Sequence, residues 1–135
     1  MKNIFAVEDN ESLLTEFYNQ LLRANPTYCV TATLNPYTAL RMATKERPSP
    51  DLLVTGFLGY SIMTGPELIK RVHRAGLGTK FVLCHRKSAE SELITILEEL
   101  DKEQIDVRCI NFMNVIHPPT QQESLGALVM SMLDE

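Results

Sequence analysis

The chain has 135 residues, 44% hydrophobic and 22% charged, with no tryptophan and a net charge of -4. That length bounds one domain, residues 1–135, able to bury a core without disulfides or a metal, and the composition excludes disordered, collagenous and membrane classes. With no surplus of Lys and Arg to displace counterions, non-specific nucleic-acid binding is not expected.

Ile4-Phe5-Ala6-Val7 is a short apolar run that stops at Glu8 and Asp9. Asn10 is a candidate N-cap for a helix carrying Leu13, Leu14, Phe17, Leu21 and Leu22, ending near Asn25-Pro26. Tyr28 to Thr33 is rich in strand formers, and a second helix is predicted from Pro36 to about Glu46, burying Leu40 and Ala43. Leu52 to Thr55 reads as a third buried strand, Gly56 to Gly65 as a loop, and Pro66 opens a third helix through Leu68, Ile69 and Val72. Lys80 to Cys84 is a fourth strand, and Ser88 is placed to cap a helix with Leu93, Ile94, Leu97 and Leu100. A fifth strand lies somewhere in Val107 to Ile116. Thr120 is placed to cap a last helix with Leu125, Leu128, Val129 and Met132.

Five strands alternating with five helices imply a doubly wound parallel sheet, a flavodoxin-like three-layer α/β sandwich. Cys29, Cys84 and Cys109 form no CxxC pair, so neither a zinc ribbon nor a disulfide framework is indicated. The first apolar run is too short for a signal peptide, and no stretch is long enough to span a bilayer, so a cytoplasmic protein with free thiols and no membrane partner is expected.

In an open parallel sheet ligands bind beyond the carboxyl ends of the strands. The residues that fall there are Glu8 and Asp9, Gly56, Cys84 and His85, and His117 if the fifth strand ends at Val115-Ile116. The opening Ile4-Phe5-Ala6-Val7-Glu8-Asp9-Asn10 resembles that of a response-regulator receiver domain. Pro50-Asp51-Leu52-Leu53-Val54-Thr55 resembles the family's third-strand motif, and Thr64-Gly65-Pro66-Glu67-Leu68 the helix entry after it. The resemblance spans nearly the whole chain, strongest before Cys84. It implies two-component signalling, in which the acidic pair after the first strand binds Mg2+ and an aspartate ending the third accepts phosphate.

The chain departs from that pattern where the chemistry is. The acceptor position falls on Gly56, the hydroxyl position ending strand four on Cys84, and the lysine position before a proline on His117. Phosphoryl transfer needs an oxygen nucleophile beside a charge-neutralising cation, and glycine supplies none. Losing that carboxylate also removes one ligand from the Mg2+ site, leaving Glu8 and Asp9 to bind it weakly or not at all. Asp51 precedes its strand and belongs to the opposite edge of the sheet, more than about 10 Å away at roughly 3.3 Å per residue.

Each site residue has a plainer reading. Glu8 and Asp9 can complement the first helix's dipole, or, pointing into one pocket, raise the pKa of one of them. Cys84 is a reactive thiol or a small apolar filler. Cys84, His85, His117 and Asp9 have zinc-ligand chemistry but no supporting spacing. His85-Arg86-Lys87 is an anion contact or a solvated run. Asp101 to Asn114 makes the stretch before the fifth-strand lysine position longer than receivers have, which remodels the helix-four to helix-five face or is a tolerated loop.

The expectation is a stand-alone pseudo-receiver, not an enzyme, that works by protein–protein contact without phosphate. Its partner would be a histidine kinase or phosphotransfer protein met around helix one. The alternatives are a phosphorelay receiver with another acceptor, or a flavodoxin-like enzyme or metal protein using Cys84 or His117.

Overall fold

Unbroken apolar runs bounded by polar residues make the central strands. The computed structural model, which describes residues 1–46, 48–59 and 62–134, buries them on both faces. In chain order the elements are β1 (Asn3–Val7), α1 (Glu11–Ala24), β2 (Cys29–Thr33), α2 (Pro36–Lys45), β3 (Leu52–Thr55) and α3 (Gly65–Arg74). There follow β4 (Lys80–His85), α4 (Glu90–Lys102), β5 (Val107–Asn111), α5 (Phe112–Ile116) and α6 (Leu125–Leu133). All five strands are parallel, in the order β2-β1-β3-β4-β5. The order reverses at β1, so the switch point lies between β1 and β3.

Side chains alternate along the strands, so one run feeds two cores. Ile4 and Ala6 face Phe17, Leu21, Val129 and Met132 on the α1 and α6 side. Phe5 and Val7 face Ala39, Ala43, Leu68 and Val72 on the α2 and α3 side. Phe17 is wholly buried, and its truncation to alanine should cost about 3–5 kcal/mol.

Short polar side chains start the helices by accepting orphan N–H groups. Asn10 Oδ1 accepts from the Leu13 N–H at 3.0 Å, and Asn35 Oδ1 from Tyr37 at 2.9 Å. Thr64 Oγ1 accepts from Glu67 at 3.2 Å. Gly65, the first residue of α3, has no room for a side chain: an added Cβ would run into the carbonyl of Gly56. That close approach, with the Gly65 N–H donating to the Phe57 carbonyl at 2.7 Å, ties the start of α3 to the end of β3.

The second half differs from the sequence reading in several places. Ser88 lies in a 3₁₀ turn, Lys87–Ala89, and α4 begins after Ala89 with no side-chain cap. Ile94 points outward, 62% exposed, because only Leu100 of that helix is fully buried. Leu40 is half-buried, with Ala39 and Ala43 filling the core side of α2. The last helix is capped by Ser124, whose Oγ accepts from Ala127 at 3.1 Å; Thr120 precedes a separate 3₁₀ turn.

The fifth strand is Val107–Asn111, set by pairing with Phe81 to His85. The residues after it, Phe112–Ile116, form the additional five-residue helix α5 instead of continuing the strand. Asn111 initiates it by accepting from the Met113 N–H at 2.8 Å. His117 therefore caps the end of α5, exposed and six residues beyond the strand, and the expectation that it follows β5 is corrected.

Candidate functional site

Register brings the carboxyl ends of β1, β3 and β4 to one level. Val7 pairs with Thr55 and Thr55 with Leu83, so Glu8, Gly56 and Cys84 come next, and Cys84 pairs with Ile110 of β5. The Gly56 N–H donates to the Val7 carbonyl at 3.1 Å, holding the two chain exits side by side. Of the predicted switch positions, Glu8, Asp9, Gly56 and Cys84 converge and His117 does not. Asp51 lies at the other edge, where its Oδ2 accepts from the Asn3 N–H at 2.8 Å.

Glu8 is 3% exposed and its carboxyl lies over Gly56. A Cβ on residue 56 would collide with Glu8 Oε1, stand 3.1 Å from Glu8 Cδ, and meet the Phe112 ring at 3.7 Å. The glutamate that follows β1 thus fills the space where a side chain at position 56 would start, with the first residue of α5 in van der Waals reach. Glu8 Oε2 accepts from the Asn10 N–H at 2.7 Å.

Burial is the main force on this carboxyl, raising its pKa from the ordinary 4.5 to about 7. A hydrogen bond with Asp9, for which Glu8 keeps its proton, raises it further, while the Asn10 N–H and the Arg86 guanidinium act the other way. Repulsion by Asp9 contributes, but it ranks below desolvation.

Cys84 is wholly inaccessible and belongs to the α1-side core. Burial pushes its thiol well above the ordinary value, with the Glu8 and Cys109 charges adding to the effect, so the nucleophilic thiolate is disfavoured. His85 is 8% exposed, its Nδ1 3.2 Å from the Arg86 carbonyl oxygen. Among the described residues no three His, Cys, Asp or Glu side chains are grouped to hold a metal ion, so the zinc grouping suggested by Cys84, His85, His117 and Asp9 is not assembled.

Above this edge opens a cleft of about 890 Å³ that reaches from the end of β1 across α1 to α5. Its lining includes Glu16, Phe57 and Phe112, which the sequence reading did not single out; Phe112 was hidden by the unplaced fifth strand. Arg86, read as an anion contact or part of a solvated run, lines the cleft, and its charge is felt by Glu8. No lysine stands at the end of β5, whose last residues are Ile110 and Asn111.

This is the fold of response-regulator receiver domains. A receiver-domain protein described as CheY-like from Methanospirillum hungatei JF-1 is similar at 18% identity and a TM-score of 0.75, covering 99% of this chain and 94% of that one. A receiver domain from Clostridium thermocellum matches over 100% of both chains at 15% identity and a TM-score of 0.70. The chemotaxis protein CheY4 of Vibrio cholerae matches at 19% identity and 0.69, covering 99% and 98%. No family model matches the sequence, and no curated protein matches it either. Among the described residues no helix is long and apolar enough to cross a membrane.

Proposed function

We propose that the chain is a receiver-like module of two-component signalling that carries no phosphate and acts by binding another protein. The observation that carries this reading is the occupied acceptor position: Gly56 has no nucleophile, and the Glu8 carboxyl lies where an acceptor side chain would start. Glu8 itself is a poor substitute acceptor. It is buried, hydrogen-bonded to the Asn10 N–H, and its pKa is raised by burial.

The residues present do not fit the Mg2+ site the fold family implies. Mg2+ keeps several of its waters and is held by one or two ionised carboxylates. Of the two carboxyls at this edge, Glu8 is turned inward over Gly56 with its pKa raised by burial, and among the described residues no three His, Cys, Asp or Glu side chains are grouped to hold an ion. The usual trigger, phosphate drawing a strand-four hydroxyl inward, has nothing to act on with Gly56 and Cys84 in place. A ligand lacking differential affinity for two states shifts neither.

The partner reading rests on the surface. Tyr18 on α1 is 40% exposed, and Met113 and Ile116 on α5, which packs against α1, are 56% and 44% exposed, apolar groups available to a histidine kinase or phosphotransfer protein. The test has two arms. Intact-mass analysis after incubation with acetyl phosphate and Mg2+ should show no added phosphoryl group. Affinity for a captured kinase or phosphotransfer protein should fall on Tyr18→Ala and stay unchanged with the phosphodonor. An acid-labile phosphoryl adduct on any residue of this edge overturns the reading.

A further inference from the structure

Helix α4 meets the rest of the protein along a narrow side. Leu100 is its one fully buried residue, Leu93, Ile96 and Leu97 are half-buried, and Ile94 is exposed. Polar groups tie it to α3. Lys70 Nζ lies 3.5 Å from Glu99 Oε2, and the Arg74 guanidinium donates to both carboxylate oxygens of Glu103, at 3.0 and 3.1 Å. At 3.6 residues per turn, Glu90, Ile94, Leu97 and Asp101 fall in one stripe about 60° wide, roughly opposite Glu99 and Glu103. The stripe therefore lies on the flank of α4 turned away from α3, toward β5, the last strand in the sheet order. Leu97 there joins Val107 and Cys109 of β5 as half-buried members of the α2- and α3-side core.

A single exposed isoleucine is ordinary on a protein surface. Ile94 is instead continuous with Leu97 and bracketed by exposed carboxylates, with Glu90 and Asp101 at the two ends of the stripe and Glu98 along its outer margin. Among the described residues none of these three has a cationic partner. The pattern decides what can cover it. A second copy of the same stripe, an anionic membrane or a nucleic acid would bring like charges together. A neutral apolar segment would desolvate the carboxylates and offer them nothing in return. A helix with an apolar stripe flanked by Lys or Arg meets both demands. Its apolar residues pack on Ile94 and Leu97, and its cations face the carboxylates around them. The stripe runs about 16 Å along α4, room for such a helix to lie alongside.

We infer that the flank of α4 facing β5 is a docking surface for a cationic amphipathic helix of another protein. This surface shares no residue with Tyr18, Met113 and Ile116 and asks nothing of the phosphate chemistry, so it and the proposed function stand or fall separately.

The experiment titrates the full ¹⁵N-labelled chain with a synthetic helix of about 18 residues, leucine at helical spacing along one face and lysine on either side of it. One control peptide replaces its lysines with glutamate, and a second replaces its leucines with serine. The cationic amphipathic peptide should shift the amides of Ile94, Leu97 and Asp101 with a dissociation constant of about 100 µM or tighter, and each control should bind about tenfold more weakly or not at all. Raising NaCl from about 0.05 to 0.5 M should weaken the binding about fivefold. Ile94→Ser, and separately Glu98→Gln combined with Asp101→Asn, should each weaken it about fivefold with the melting temperature preserved, whereas Tyr18→Ala should not. Equal binding of the serine control, or binding that survives Ile94→Ser, would reduce the effect to attraction by the chain's net negative charge and overturn the inference. Equal binding of the glutamate control, no shift at about 1 mM peptide, or shifts centred on another surface would overturn it as well.

Discussion

The carboxyl of Glu8 and the bare backbone of Gly56 share one volume at the end of the sheet: Glu8 Oε1 lies where the first side-chain atom of residue 56 would stand. The two residues are 48 positions apart and meet because β1 and β3 are paired and end at the same level. A glutamate, one methylene longer than aspartate, reaches from the first strand over the third. Its burial there, with the Asn10 N–H on one oxygen, accounts for its raised pKa. The glycine leaves room for that carboxyl, and its backbone is outside the left-handed region that would favour glycine on conformational grounds.

Gly56→Ala should therefore destabilise the protein through Glu8. The added methyl forces the carboxyl out, breaking its bonds to Asn10 and Asp9, at a cost of about 1–2 kcal/mol. With Glu8→Ala already present the space is vacant and the same change should cost less than about 0.5 kcal/mol. Urea unfolding of the four proteins in this cycle measures the coupling, and additive effects would show that the two side chains do not compete for one place.

Stability should fall as pH rises from about 4.5 to 7. In that window the folded protein keeps the Glu8 proton and the unfolded chain, titrating near 4.5, has lost it, so raising the pH pulls toward unfolding. Asp9 shares the proton, and the Arg86 guanidinium offsets part of the charge. Glu8→Gln should flatten this slope, which unfolding midpoints at pH 5, 6 and 7.5 would reveal. A slope unchanged in the variant would assign the dependence elsewhere.

The architecture was legible in the sequence because hydrophobic runs and caps are local. Ile4 to Val7, Leu52 to Thr55 and Lys80 to Cys84 announce buried parallel strands, and Asn10 announces α1. The fifth strand was not legible, since Val107 to Ile116 mixes apolar residues with Arg108, Asn111 and Asn114 in no clear period and only pairing with β4 separates Val107–Asn111 from the helix after it. That misplaced His117 and concealed Phe112. The fill over Gly56 was out of reach for the same reason: a glycine's vacancy reads as an absence until the residue that enters it is known.

The three thiols should react in separate classes. Cys29 is exposed on the edge strand β2, Cys109 is half-buried with its pKa raised by burial, and Cys84 is wholly inaccessible. A chromogenic disulfide reagent at pH 8 should label Cys29 quickly, Cys109 slowly, and Cys84 only when denaturant is added. Rapid labelling of Cys84 in the folded protein would reinstate it as a reactive group.

Gly56→Asp should create a Mg2+ site without creating a working receiver. The new side chain cannot coexist with Glu8 in its present position, so Glu8 must swing outward, ionise, and stand with Asp9 and the added aspartate at one edge. Three carboxylates give a hard cation the oxygens that the natural chain withholds. At a dissociation constant of about 1 mM, 10 mM Mg2+ would stabilise the variant by about 1.4 kcal/mol, a rise in Tm of roughly 3–5 °C. The natural protein should show no such rise, and adding Asp9→Asn to the variant should abolish it. Phosphoryl transfer should still fail with acetyl phosphate, because Cys84 is buried with its thiol protonated and β5 ends in uncharged Ile110 and Asn111, leaving the transferred group without its fixed positive partner. Thermal melts with and without Mg2+ test the first half, and intact-mass analysis tests the second. A Mg2+-dependent melting shift of equal size in the natural protein would mean that Glu8 already leaves Gly56 in solution.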